Sequence, residues 1–426
     1  MESVHSWLKS VPQLKDGYQL DEGSAARGKF SICCNVTASS DVKCDSFILK
    51  RSIIGEMDSR GGSKWVRDIQ SLAAEFNFYE QYRKITSGGQ SSIPIVIDSF
   101  SNFDEKTENP KDLFEDQGED FKPRDDLVFA ILMEDLGASK GSYRLTNGLT
   151  VSHLPDFIQS LAQFHSETAK IKQHLNENSS IWSIGGFWTK DKRQDFDKEV
   201  SGIPGRWEGF YKIWSHEIIE SIDTDAYGII KCISQFLKVE LEEAKQAVKN
   251  VIPSLGLELS KHCDKVSKVV EEEPRMCIVH GDNKVANIFY SPESEVKFKW
   301  IDFQWAGLGS PTLDLVYLIA SSVQNVEILE PKLENLLRTY WNTFAKLSNI
   351  NEASSFGSNL DNFKFGFLDY CRVVLGYMWS SNLDCQLIKS REDGINFCLH
   401  NRSIKHICWL TQKIVQYLIE LKLLSS

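Results

Sequence analysis

The feature that most constrains this chain of 426 residues is a change of character near residue 135. Upstream, short runs rich in Ile, Val and Phe, bounded by Gly, Ser, Asp and Pro, read as strands over 30–37, 46–51, 93–100 and 127–133. One helix interrupts them, because Trp65, Ile69, Leu72, Phe76 and Tyr79 recur at intervals of three and four. Downstream the periodicity becomes helical. Leu154, Ile158, Leu161, His165 and Thr168 share one face of a helix beginning near Pro155, and further helices are expected over 225–250, 311–323, 329–347, 362–380 and 403–424. Strands first and helices afterwards is an α+β arrangement. It predicts two lobes: a small strand-rich N-terminal lobe over 1–134 and a larger, mainly helical C-terminal lobe over 135–426.

Composition narrows the partners. A formal charge of −11 argues against nucleic acid, since phosphate binding needs a basic footprint. The longest apolar run, 127–133, ends in Glu134 and Asp135, far short of the ~20 residues a membrane span needs. The first residues lack the basic and apolar regions of a secretory signal. Ten scattered cysteines with no C-x-x-C pair read as a reduced thiol set, so a cytoplasmic protein is expected. Residues 102–126 carry ten carboxylates against four Lys or Arg and read as a solvated insertion between two strands. Oligomeric state is not legible in the sequence.

The informative stretch runs from Cys277 to Tyr290, with His280-Gly281-Asp282 and Asn287 inside it, and is followed by Ile301-Asp302-Phe303-Gln304. Ile278 and Val279 read as a short strand entering a turn at Gly281, with Asp282 on that turn and Asn287 at the start of the next strand. Ser291-Pro292-Glu293-Ser294-Glu295 is turn chemistry, after which Val296, Phe298 and Trp300 alternate with Lys297 and Lys299 as a returning strand does. Such a hairpin predicts that Asn287 and Asp302 come near one another. Two oxygen ligands beside a carboxylate suit a hard cation, Mg²⁺ above all.

H-G-D-x-x-x-x-N followed by I-D-F resembles the catalytic and metal-binding loops of the aminoglycoside phosphotransferase and choline kinase superfamily. The longer run from Ile301 to Leu315, containing I-D-F-Q and G-S-P-x-x-D-L, resembles its ecdysteroid kinase-like branch. Ile131-Leu132-Met133-Glu134-Asp135-Leu136 and Leu161-Ala162-Gln163-Phe164-His165 match two more landmarks, and the resemblance covers about residues 20 to 345. It implies a two-lobed protein-kinase-like fold and an ATP- and Mg²⁺-dependent kinase acting on the hydroxyl of a small organic acceptor, a choline-, sterol- or aminoglycoside-like alcohol.

By that resemblance Asp282 is the catalytic aspartate, and Asn287 and Asp302 hold Mg²⁺. Lys50, ending the strand Phe47-Ile48-Leu49-Lys50, is the phosphate-binding lysine; Arg51 is the competitor, but only one of two adjacent strand residues can face the site. Glu75 is its expected helical partner, on the pattern E-x-x-F-Y, with Glu80 as the alternative. Gly28 and Lys29 are the candidate phosphate loop, although a plain hairpin turn explains these glycines too. Met133, Glu134 and Leu136 are the expected adenine-contacting segment. His280 is expected to fix its loop, and Asp314 either to favour its helix N-terminus or to brace the catalytic loop.

Lys284 and Ala286 depart from the branch, which places a bulky aromatic and an Asn there. Lysine two after the aspartate is the serine/threonine protein kinase arrangement, so Lys284 is expected to touch the transferred phosphate. The acceptor is expected along 181–220, where Trp182, Phe187, Trp188, Trp207, Phe210, Tyr211 and Trp214 accompany Asp191, Asp195, Asp197 and Glu199, though at least half of these aromatics are expected in the core. The alternative reading is a catalytically impaired nucleotide-binding protein or scaffold. A protein kinase is disfavoured, since the chain has no A-P-E segment and little length for an activation loop.

Overall fold

A computed structural model describes residues 2–27, 31–39, 46–54, 62–85, 91–103, 126–138, 143–145, 149–175, 181–193, 195–323, 325–348, 356–378 and 403–424. The fold is two-lobed α+β. Its chain forms two compact units, one of Met1–Leu145, Lys170–Ser183 and Ile288–Leu308, the other of Thr146–Ala169, Ile184–Asn287 and Gly309–Ser426.

The first unit opens with helix α1 (Glu2–Ser10) and contains strands β1 (Tyr18–Arg27), β2 (Ile32–Ala38), β3 (Ser46–Ile53), β4 (Val96–Ser101) and β5 (Val128–Glu134), with helix α2 (Gly62–Ile85) between β3 and β4. The five strands make one sheet in the order β1-β2-β3-β5-β4, every pair antiparallel. The four strands expected from the sequence are β2 to β5. Val4, Trp7 and Leu8 of α1 share a core with Phe47, Leu49 and Leu132, while Ile69, Leu72 and Ala73 of α2 pack with Ile54, Leu127 and Phe129. Side chains alternate along a strand, so burying Phe47 and Leu49 with α1 leaves Lys50 on the opposite face of β3. A smaller sheet joins β6 (Arg144–Leu145), β8 (Ile288–Tyr290) and β9 (Phe298–Trp300). In its hairpin Ile288 faces Trp300 and Tyr290 faces Phe298.

The second unit is helical around the short strand β7 (Cys277–Val279). Helix α3 (Leu154–Lys172) starts where Pro155 suggested, and Leu154, Ile158, Leu161, His165 and Thr168 are all fully buried. After it come α4 (Phe196–Asp223), α5 (Ile229–Leu237), α6 (Leu241–Val251) and α7 (Leu255–Glu272), then α8 (Thr312–Ser322), α9 (Val326–Leu329), α10 (Leu333–Ser348), α11 (Phe356–Val373) and α12 (Ile404–Glu420). The single helix expected over 225–250 is two, divided at Lys238, whose left-handed φ of 59° ends α5.

Helix α4 continues through Pro204 and buries Ile203, Trp207, Phe210 and Trp214 along one stripe. It crosses α7 at Gly256, where an added Cβ would lie 2.5 Å from the Trp207 Cβ and 3.0 Å from the Ile203 carbonyl oxygen. The chain has room for no side chain there. Among the described residues no helix is long and apolar enough to cross a membrane.

Candidate active site

In the first unit the structure brings together Lys50, Glu75 and Asp302. Lys50 Nζ donates to Glu75 Oε1 at 2.7 Å and to Asp302 Oδ1 at 2.9 Å. Burial alone would drive the ammonium toward neutrality, but the charges of Asp302 and Glu75 outweigh it and hold the pKa of Lys50 well above its ordinary value. Glu75 Oε1 also accepts the Phe303 N–H at 3.2 Å, and the Phe303 ring stacks on Phe78 with centroids 4.0 Å apart. The I-D-F segment is thus held to β3 through Asp302 and to α2 through Phe303. Asp302 itself has φ +69°, a conformation that Asp tolerates better than most residues and that recurs at functional sites. Its side chain is one-third exposed. The two alternatives weighed in the sequence lie elsewhere: Arg51 is buried on the other face of β3, and Glu80 accepts a hydrogen bond from Ser99 of β4.

The expected adenine-contacting residues continue this unit. Met133 and Glu134 end β5, where the Glu134 N–H donates to the Ile95 carbonyl at 2.9 Å and the carboxylate pairs with Lys299. The Leu136 carbonyl accepts from the Tyr143 N–H at 3.0 Å. Gly28 and Lys29 lie outside the described residues, as does most of the acidic insertion.

In the second unit the H-G-D turn is built around Asp314. Its carboxylate accepts the backbone N–H of His280 at 2.7 Å and of Gly281 at 2.9 Å, and is 2.9 Å from His165 Nε2. The Thr168 hydroxyl donates to the Ile278 carbonyl, and the Asn283 amide to the Asp314 carbonyl. Of the two roles open for Asp314, bracing the loop is therefore visible in the geometry, and His280 serves the same end by accepting the Asp282 N–H on its Nδ1. Burial acts to raise the Asp314 pKa, but the bonds and charge of His165, the charge of His280 and the Gly281 amide hold it below the usual carboxylate range. Gly281 has φ +77°, so the turn needs a residue without a Cβ.

This bracing delivers a buried Asp282. Its Oδ2 accepts from Lys284 Nζ at 2.7 Å and from Asn287 Nδ2 at 3.1 Å, whereas Oδ1 is buried with no hydrogen-bond partner. Tyr317, one turn after Asp314 on α8, lies beside it. Burial pushes the phenol's pKa well up, the Asp282 charge and a hydrogen bond to that carboxylate add to the push, and the ring is fixed by stacking on Trp188 with centroids 5.0 Å apart. Sequence reasoning missed Tyr317; its spacing of three from Asp314 was the available signal. Asn287 belongs to this unit and Asp302 to the first.

Most of the aromatic set over 181–220 is core, in keeping with the expectation that at least half would be. Trp182, Trp188, Trp207, Phe210 and Trp214 are core residues, and the carboxylate of Glu199 is spent on Arg193 and Arg372, at 2.9 Å from each. Phe187 and Tyr211 are the partly exposed rings of the set. The Phe187 N–H donates to the Gly281 carbonyl at 3.3 Å, and its ring meets Tyr317 edge-on. Among the described residues no group of three or more His, Cys, Asp or Glu side chains could hold a metal ion.

A model of the ecdysteroid kinase-like family matches residues 30–351. Among curated proteins none shows significant similarity to the chain. Solved structures with a similar course include an amicoumacin kinase in complex with AMP-PNP, Ca²⁺ and Ami, at 11% identity and a TM-score of 0.47, covering 98% of this chain and 93% of that one. A protein from Ralstonia eutropha assigned as an aminoglycoside phosphotransferase is 11% identical with a TM-score of 0.43, covering 98% and 97%. An ethanolamine kinase from Plasmodium vivax is 11% identical with a TM-score of 0.41, covering 98% and 87%.

Proposed function

This chain belongs to the ecdysteroid kinase-like family, and from that premise we propose that it is an ATP- and Mg²⁺-dependent kinase transferring the γ-phosphate to a hydroxyl of a small organic acceptor. The observation that carries the reading is the setting of Asp282: Lys284 and Asn287 fix one carboxylate oxygen, the Tyr317 phenol stands against the carboxylate, and Oδ1 keeps an unused acceptor position. A general base needs that combination of fixed orientation and an open acceptor oxygen.

The residues present fit a hard cation. Asn287 offers an amide oxygen and Asp302 a carboxylate oxygen, the ligand types a hard cation takes. Mg²⁺ commonly takes only one or two protein carboxylates, completing its shell with water and phosphate oxygens. When bound, the metal neutralises charge that builds on the phosphate oxygens. Lys50, kept cationic by Glu75 and Asp302, would bind the nucleotide phosphates, and Met133, Glu134 and Leu136 would meet the adenine. Gly28 and Lys29 would cover the phosphates.

Asp282 then takes the acceptor hydroxyl's proton as that oxygen bonds to the γ-phosphorus and the bond to the bridging oxygen breaks, leaving ADP and a phosphate ester. Lys284 stands beside that aspartate and would contact the moving phosphoryl group. Phe187, next to the H-G-D turn, would touch the acceptor. The acceptor class stays at a choline-, sterol- or aminoglycoside-like alcohol.

The test is a metabolite pool incubated with labelled ATP and Mg²⁺, followed by location of the new phosphate. Asp282→Asn is expected to lower turnover by about 10²- to 10⁴-fold. No labelled product from any pool, with ATP still bound, would favour the non-catalytic nucleotide-binding reading instead.

A further inference from the structure

At the end of α7 the second unit has a half-open cavity of about 310 Å³, at the small end of the ~300–1,000 Å³ that ligand pockets span. Its walls include Glu273 and Met276 from the α7–β7 connection, Ser310 before α8, Trp341 of α10, and Asn359 and Asn362 of α11. Glu273 is 7% exposed, and its Oε2 is buried with no hydrogen-bond partner. Buried polar atoms are ordinarily matched, so an orphaned carboxylate oxygen in a cavity wall calls for a donor that the chain itself does not supply.

We propose that this cavity is a binding site for a small protonated amine. The charged side chains lining it are Glu272 and Glu273, with no Lys or Arg among them, which disfavours an anion. A metal ion needs several oxygen ligands together, and among the described residues no such acidic group exists. A quaternary ammonium has no N–H to give to Oε2. An alkylammonium supplies both the charge and the donor, while Trp341 and Met276 suit a short carbon chain and the two asparagines suit further polar groups on it.

Two other observations agree. Burial pushes the Glu273 carboxyl up to about 7, only partly offset by the nearby Ser310 hydroxyl. A bound cation favours the ionised form, so binding near neutrality releases a proton. Glu272, 3.8 Å from Lys268, is the only other titratable side chain lining the cavity; the lining residues before α8 and on α10 and α11 are Ser, Trp and Asn. The site is also separate from the reaction centre. Met276 and His280 lie at opposite ends of β7, about 13 Å apart at ~3.3 Å per residue.

Calorimetric titration of the whole protein with n-butylamine hydrochloride tests this, with tetramethylammonium chloride as the comparison. Expected results are butylammonium binding at least tenfold tighter than tetramethylammonium, proton release seen as a dependence of the heat on the buffer, and unchanged binding in Asp282→Asn. Glu273→Gln is expected to weaken binding at least tenfold. Should that variant not fold, Asn362→Phe, at a partly exposed wall position, narrows the cavity and weakens binding likewise. No binding of butylammonium by the native protein, or undiminished binding in the cavity variants, overturns the proposal.

Discussion

Two carboxylates, Asp302 and Asp282, are held by opposite means. Asp302 is held by charge: Lys50 reaches it and Glu75 together, so strand β3, helix α2 and the residues after β9 are tied by one ammonium. Asp282 is held mainly by hydrogen-bond geometry, because Asp314 gathers the two preceding backbone amides and His165 into a fully buried brace. A charge-built site tolerates displacement but not loss of a charge. A hydrogen-bonded brace tolerates neither a shortened side chain nor an altered backbone.

The sharpest way to break that contrast is Asp314→Ala. It strands two buried amides and a buried imidazole, and we expect a loss of about 3–5 kcal/mol in unfolding free energy, measured by urea denaturation. Acid should act in the same direction. Because the folded pKa of Asp314 lies below its unfolded value of ~3.9, its contribution is complete above that value and disappears as pH falls through the folded one. Denaturant midpoints followed down through the carboxyl range should therefore drop more steeply for the native chain than for Asp314→Asn.

Lys50→Met probes the other side. It leaves buried Glu75 beside Asp302 without a counter-charge and should cost about 2–3 kcal/mol, part of which Glu75→Gln in the same chain restores. A double-mutant cycle reads the coupling; additive effects would mean that the trio is not a unit. Lys284→Ala should lower kcat about tenfold to a hundredfold, as for the loss of one preorganised donor, with acceptor KM little changed; an unchanged kcat would dispose of a role in phosphate transfer. Tyr317→Phe should be mildest, about 1 kcal/mol or less, read as a small drop in midpoint and a modest drop in kcat.

Elements that repeat a local rule were the ones legible in the sequence. The face of α3 from Leu154 to Thr168 followed from spacing alone. Alternation allowed only one of Lys50 and Arg51 to face the site, the resemblance chose Lys50, and the same alternation buries Phe47 and Leu49 with α1. The H-G-D turn was legible because so few residues can make it. Helix α4 was not among the expected helices. It contains Pro204 and the glycines Gly202, Gly205 and Gly209, residue types that ordinarily interrupt a helix, yet burial of Trp207, Phe210 and Trp214 outweighs the lost backbone bond. The same burial places most of the aromatics over 181–220 in the core, as expected for at least half of them, but spacing did not say which. Tyr317 and the orphaned Glu273 were invisible because their significance depends on partners far along the chain.

The crossing at Gly256 has a practical corollary. A methyl group there would act as a wedge between α4 and α7, and only residues 273–276 separate α7 from β7 and the catalytic turn. Gly256→Ala would thus make a temperature-sensitive allele, functional when cool and silenced on warming, that leaves every reacting side chain as it was.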